Sequence, residues 1–278
     1  MLILLTNDDG IYAPGLAALE RQLCRLGDVY VVAPATEQSG VGHSITYRTP
    51  LIVKQMYHGE QHWGWAVEGS PADCVKIGAT EFCPRRPDLI VSGINGGLNA
   101  GINVLYSGTV AAAIEGAFFG ITSVAVSLEF DEHAQFDKAA RLACDVIGQI
   151  LEKKEPESQL YNLNIPTAAL DGTPELSVVP MDVSQYDDLF ERRKDPWGRD
   201  YYWLAGGPPK AAPEHETDLS ALAAGRVTLT PLSFNMTRKS KLEQMEDWQF
   251  ELEDVSRMNI DNEDAGSRGP VMKTGRKL

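Results

Sequence analysis

Hydrophobic and polar positions switch repeatedly between two periods along the first half of the chain. "LILL" at residues 2–5 is an apolar run of strand length. In "PGLAALERQLCRLG", Leu16, Leu19, Leu23 and Leu26 then recur at helical spacing between Pro14 and Gly27. "VYVVAP" is a second β-rich run, closed by Pro34. "SITYRTPLIVKQM" and "HWGWAVEG" read as extended segments joined around "YHGEQ", a β-hairpin, and "SPADCVKIGATEF" as a short helix opening at Ser70 with Pro71 as its first residue. "DLIVSGIN" is a buried strand running into a glycine-rich loop. The loop leads to "VAAAIEGAFFG", a helix with Val110, Ile114 and Phe118 on one face. After the strand "SVAVSL", a long helix aligns Phe136, Ala140, Ala143, Ile147 and Ile150 in one stripe. This alternation predicts an α/β fold, a mostly parallel sheet covered by helices on both faces, with ligands bound at the carboxyl ends of the strands.

The second half is less regular. "LYNLNIP", "ELSVVP" and "RVTLTPL" read as strands and "ETDLSALAAG" as a helix. "YDDLFERRKDPWGRDYYWLAGG" reads as two extended arms around a Lys-Asp-Pro-Trp-Gly turn. Its aromatic residues Tyr186, Phe190, Trp197, Tyr201, Tyr202 and Trp203 exceed what a solvated loop carries, which predicts an arm, at about 184–206, that packs on a partner subunit. We therefore expect one domain over 1–242, and over 243–278 a partly disordered tail. That tail has nine acidic residues from Glu243 to Asp264, followed by a basic end.

Charge and cysteine usage narrow the partners. A net charge of -14 argues against a nucleic-acid polymer. "MLILLTNDDG" has neither a basic n-region nor an apolar run long enough for a signal peptide or a membrane span, which reads as a cytoplasmic protein with no membrane partner. Cys24, Cys74, Cys83 and Cys144 form no C-x-x-C pair and read as small buried hydrophobes in a reducing compartment.

Candidate chemistry gathers at the strand ends. Asp8 and Asp9 follow the first strand, Ser39 lies after the second in "PATEQSGVGHS", and Asn95 ends the strand "DLIVSGIN". Two carboxylates, an amide oxygen and a hydroxyl form an all-oxygen set that suits a hard divalent ion such as Mg²⁺ or Mn²⁺. Asn7-Asp8-Asp9-Gly10 reads equally well as a turn whose side chains bond their own backbone. Ser107, Gly108 and Thr109 open a helix, where free N–H groups and hydroxyls suit a phosphate; simple N-capping competes with that reading. His58 and His62 are four apart, but Gly59 breaks the helix a zinc motif needs, so they read as turn residues. His43 lies close enough to Ser39 to reach a bound substrate, or else is a locally bonded loop histidine.

"TNDDG", "PATEQSGVGHSIT", "GSPADCV", "SGINGGLNAG", "YSGTVAAAIEG" and the late "TD" and "TPL" occur in register over roughly residues 1–237 and resemble the SurE family of metal-dependent nucleotidases. The resemblance implies a three-layer α/β/α sandwich with a Rossmann-like core and one divalent metal ion per subunit. Asp8, Asp9, Ser39 and Asn95 would be its ligands, with Asp8 and Asp9 catalytic, and Asn95, Ser107, Gly108 and Thr109 would lie at the substrate phosphate. It also implies hydrolysis of nucleoside monophosphates, 5′ and often 3′, with short polyphosphate cleaved by some members, and homodimers or homotetramers that exchange arms. Ser70 stands where the family more often has Thr, and Asn235 where Asp is frequent. Two rivals fit less well. A haloacid-dehalogenase-type phosphatase needs D-x-D, whereas the acids here adjoin. A non-catalytic nucleotide sensor would be marked by a lost ligand position, and all four are filled.

Overall fold

A computed structural model of the chain describes residues 1–184, 189–205 and 215–252. In the compact unit Met1–Phe234, the strands β1 (Leu2–Thr6), β2 (Asp28–Pro34), β3 (Val53–His58), β4 (Gln61–Val67), β5 (Leu89–Gly96), β6 (Thr122–Leu128), β7 (Leu160–Ile165), β8 (Leu176–Val178) and β11 (Val227–Leu232) form one nine-stranded sheet. Its order is β3-β4-β2-β1-β5-β6-β7-β11-β8. Six strands, from β4 to β7, run parallel in that order, while β3 and β11 pair antiparallel with β4 and β7.

Side chains along β1 alternate faces, and each face finds its own helices. Ile3 and Leu5 pack with Leu16 and Leu19 of α1 (Pro14–Leu23) and with Ala143 and Ile147 of α4 (Phe136–Lys153). Leu2 and Leu4 pack with Cys74 and Val75 of α2 (Pro71–Ile77) and with Ala112 of α3 (Gly108–Phe118). Helices on both faces of a mostly parallel sheet make the three layers expected from the sequence. Each fully buried Leu or Ile contributes about 1.5–3 kcal/mol through lost apolar exposure. Because β2 and β5 flank β1 on opposite sides, the chain reverses its winding direction at β1, and the crevice beyond the carboxyl ends of β1 and β5 is where such folds take ligands.

Several elements differ from expectation. Only Val53 onward is strand in "SITYRTPLIVKQM"; residues 44–52 are irregular and bond instead to α2 and its cap, as Ser70 Oγ donates to the Ser44 carbonyl (2.7 Å) and Thr46 N–H to Asp73 (3.0 Å). On α3 the core-facing residues are Val110, Ala113 and Ala117, while Phe118 is 53% exposed, so the apolar stripe read from spacing is rotated off the core. Of the cysteines, Cys24 is exposed and the other three are buried. In the stretch read as an arm, β9 (Phe190–Lys194) pairs antiparallel with β10 (Asp200–Leu204), and the Asp195 carbonyl accepts from the Gly198 N–H to close the turn (2.9 Å). Tyr186 and residues 206–214 lie outside the described residues. In the second unit, Asn235–Leu278, α6 (Lys239–Met245) is a helix with no buried residue that the sequence pattern did not announce, and the tail beyond 252 lies outside the described residues.

Candidate active site

The β1–α1 loop contains the turn expected at Asn7-Asp8-Asp9-Gly10. The turn is made by Asn7: its Nδ2 donates to the Gly10 carbonyl (3.0 Å) and its Oδ1 accepts from the Gly10 N–H (3.2 Å). Gly10, at φ +96°, takes the left-handed conformation that this turn requires. Neither aspartate side chain takes part in the two Asn7–Gly10 turn bonds, and both lie at the winding reversal.

Asp8 is 4% exposed and faces the start of α3. Thr109 Oγ1 donates to Asp8 Oδ1 at 2.5 Å. The approach is close enough to need a glycine: a Cβ on Gly108 would sit 2.9 Å from Asp8 Cβ and 3.1 Å from Oδ2. Burial pushes the Asp8 carboxyl up, with the Thr109 hydroxyl and amide opposing. Asp9 Oδ2 accepts from the Gly96 N–H at 3.3 Å, which brings it beside Asn95. Burial, then the adjacent charge of Asp8, raises Asp9 to about 6. Asn95 Nδ2 donates to the Gly97 carbonyl (2.6 Å), which leaves Oδ1 as a free acceptor. Ser107 caps α3, accepting from the Val110 N–H at 3.1 Å while keeping its own hydroxyl proton.

Ser39 is brought near through backbone only. The preceding Gln38 N–H donates to the Asp8 carbonyl (2.7 Å), while the Ser39 hydroxyl itself donates to Glu37 (2.7 Å). Asp8, Asp9, Asn95, Ser107, Gly108 and Thr109 are thus joined by direct contacts or chain adjacency, and Ser39 by its neighbour. Sequence reasoning missed Glu37, whose charge adds to the upward push on both aspartates; an acid two residues before Ser39 was the available signal. It also missed how the Asn95–Ser107 loop is held. Buried Asp218 accepts from the Gly101 N–H (2.8 Å), and Asn164 Oδ1 accepts from the Asn99 N–H (2.8 Å). Among the described residues no Lys or Arg pairs with Asp8 or Asp9, and no three His, Cys, Asp or Glu side chains are grouped so that they alone could hold a metal ion.

The family described as "Survival protein SurE" matches residues 3–188. The chain belongs to the SurE family. A relative from Rhodopirellula baltica named "5'-nucleotidase SurE" is 61% identical over 249 residues, 89% of this chain and 98% of its own. One from Heliobacterium modesticaldum with the same name is 42% identical over 89% of this chain and 92% of its own. The crystal structure of SurE from Aquifex aeolicus superposes with a TM-score of 0.78 at 35% identity, covering 88% of this chain and 98% of that one. Within this SurE chain, the matched span contains all seven strand-end residues singled out above.

Proposed function

We propose that this SurE chain hydrolyses nucleoside 5′-monophosphates to nucleoside and inorganic phosphate, with one Mg²⁺ or Mn²⁺ ion per subunit. The observation that carries the reading is the pair of adjacent carboxylates, outside the Asn7–Gly10 turn bonds, with Asp8 buried against α3, Asp9 against the Gly96 N–H, and no cationic side chain paired with either among the described residues. Two acids whose ionised forms are both disfavoured by burial, then Asp9 by the charge of Asp8 and both by that of Glu37, fit a site completed by a cation. The donors on offer are oxygen only: Asp8, Asp9, Asn95 Oδ1 and the Ser39 hydroxyl, a set for a hard ion. Such an ion, when bound, polarises a phosphoryl oxygen and offsets charge developing in the transition state.

The chain's own groups do the rest. Thr109 spends its hydroxyl proton on Asp8 and so fixes that ligand to the helix that receives the phosphate. The Ser107 hydroxyl and the Gly108 N–H, at the unpaired end of α3, hold the other phosphate oxygens. The oxygen of a water bonds to phosphorus as the ester P–O bond breaks, and one of that water's protons ends on the departing oxygen, so that the nucleoside leaves as an alcohol and the phosphoryl group as inorganic phosphate. The curated relatives' name, 5'-nucleotidase, supports this substrate class. No helix among the described residues is long and apolar enough to cross a membrane, and the four free cysteines fit a reducing, cytoplasmic setting.

Phosphate release from AMP and GMP, assayed with Mn²⁺ or Mg²⁺ and again in EDTA, tests the reading. Turnover that EDTA abolishes and Mn²⁺ restores is expected. Turnover of no nucleotide with any divalent ion would favour a nucleotide sensor that kept the pocket.

A further inference from the structure

Glu115 is a buried carboxylate that the reaction above does not use. It lies on α3, two turns beyond Ser107, with its side chain only 3% exposed. One oxygen, Oε1, accepts from Lys76 Nζ of α2 at 2.6 Å, and the other, Oε2, faces His43 Nε2 at 2.8 Å. Burial alone would raise its carboxyl, but the His43 and Lys76 bonds hold it below the usual range. The His43 ring also packs on Phe118, one helical turn further along α3, with ring centroids 5.2 Å apart, and Phe118 packs edge-on against Phe234 at 4.8 Å.

His43 sits in the irregular segment between β2 and β3, the same segment that carries Ser39. Residues 35–52 of that segment belong to no strand or helix, and its two ends are tied to the end of β4 by the Ala35 N–H donating to the Val67 carbonyl (2.7 Å) and the Glu68 N–H donating to the Ile52 carbonyl (2.8 Å). Between those ends it is tied by Gln38 N–H to the Asp8 carbonyl and by Gly42 N–H to the Tyr106 carbonyl (3.0 Å), and beyond His43 by Ser44 and Thr46 to the start of α2. Between these ties, His43 is the side chain that fastens the segment to the body of α3. The helix whose first turn holds Asp8 through Thr109 therefore also holds the Ser39 segment through Glu115.

We infer that His43 is a positioning residue: by docking on Glu115 and Phe118 it locks the Ser39 segment to α3, so that the Ser39 hydroxyl and the Asp8 carboxylate keep one fixed separation for a divalent cation. The inference rests on the proposed metal role of Asp8 and Ser39. It differs from a role in stability alone because Lys76 neutralises the same carboxylate from α2 without touching the Ser39 segment. Removing His43 loosens a ligand loop; removing Lys76 does not.

The test measures Mn²⁺ binding by the whole chain, as the free-Mn²⁺ signal in electron paramagnetic resonance, without substrate or turnover. His43→Ala, at a side chain 28% exposed, is expected to weaken Mn²⁺ binding by about 10-fold, as loss of outer-shell support for a ligand does. His43→Gln, which keeps an N–H donor for Glu115, restores most of that loss, and Lys76→Met stays within about 2-fold of wild type. Phe118→Ala, at an exposed ring, is expected to weaken binding in the same direction as His43→Ala, and carries the comparison if the latter does not fold. Equal weakening by Lys76→Met and His43→Ala, or no weakening by either His43→Ala or Phe118→Ala, overturns the inference. Asp8→Asn separates this from the parent reading: if wild type binds no Mn²⁺, or Asp8→Asn binds it as well as wild type, the metal site itself is wrong.

Discussion

At the scale of single residues, the site depends on who does the turn's work. The sequence shows two acids beside an asparagine and a glycine, and both a turn and a ligand pair can be written from them. In the fold Asn7 closes the turn by both of its amide atoms, and the acids are left over for something else. The role of Ser107 as helix cap was legible from its type and place, but the commitment of Thr109 to Asp8 was not, since their contact joins positions 101 residues apart. Nor could spacing show that Gly108 is needed for close approach and not for a left-handed backbone. Gly108→Ala puts a methyl 2.9 Å from Asp8 Cβ. The variant is expected to lose stability by about 1–3 kcal/mol, as overpacking does, and to bind Mn²⁺ more weakly than wild type. Thermal unfolding and Mn²⁺ titration check both; an alanine variant that binds Mn²⁺ like wild type would remove Asp8 from its assigned contact with α3.

At the scale of elements, period alone found nearly every strand and helix of the sheet layers, because strands buried on both faces and helices packed on them leave strong apolar runs. It failed where local bonds compete with the pattern. Residues 44–52 carry strand-like residues yet serve as a tether to the cap of α2, and of the face read on α3 Val110 is core and Ile114 packs against it while Phe118 is exposed and seats His43. Between elements, Asp88 at the start of β5 accepts from the Leu2 N–H of β1 (2.7 Å) and from Arg85 (2.7 Å). The Arg85 bonds and that N–H hold its carboxyl down at about 2. A carboxyl depressed in the fold lends stability above its unfolded value near 3.8 and loses it as pH falls through about 2. Denaturant unfolding at pH values from 5 to 2 is expected to show a shallower acid-side loss for Asp88→Asn than for wild type. Parallel acid limbs would show that this tie between β1 and β5 contributes nothing measurable.

At the scale of the whole molecule, the parallel core was legible but its far edge was not: β11 enters between β7 and β8, antiparallel to β7, a placement fixed by long-range pairing and not by any local signal. The β9–β10 hairpin exposes Phe190, Trp197, Tyr202, Trp203 and Leu204, an apolar load that a lone subunit would leave in water. We expect the chain to be a homodimer or homotetramer through this arm, and the double variant Tyr202→Glu, Trp203→Glu to shift to a smaller species in light scattering; an unchanged mass would place the contact elsewhere. The proposed activity rests in the end on the paired acids at the winding reversal. The most direct measurement is phosphate release from AMP at saturating Mn²⁺ by wild type and by Asp8→Asn. A metal-dependent rate that falls by about 10²-fold or more in the variant is expected. Full Mn²⁺-dependent activity in Asp8→Asn would contradict the account.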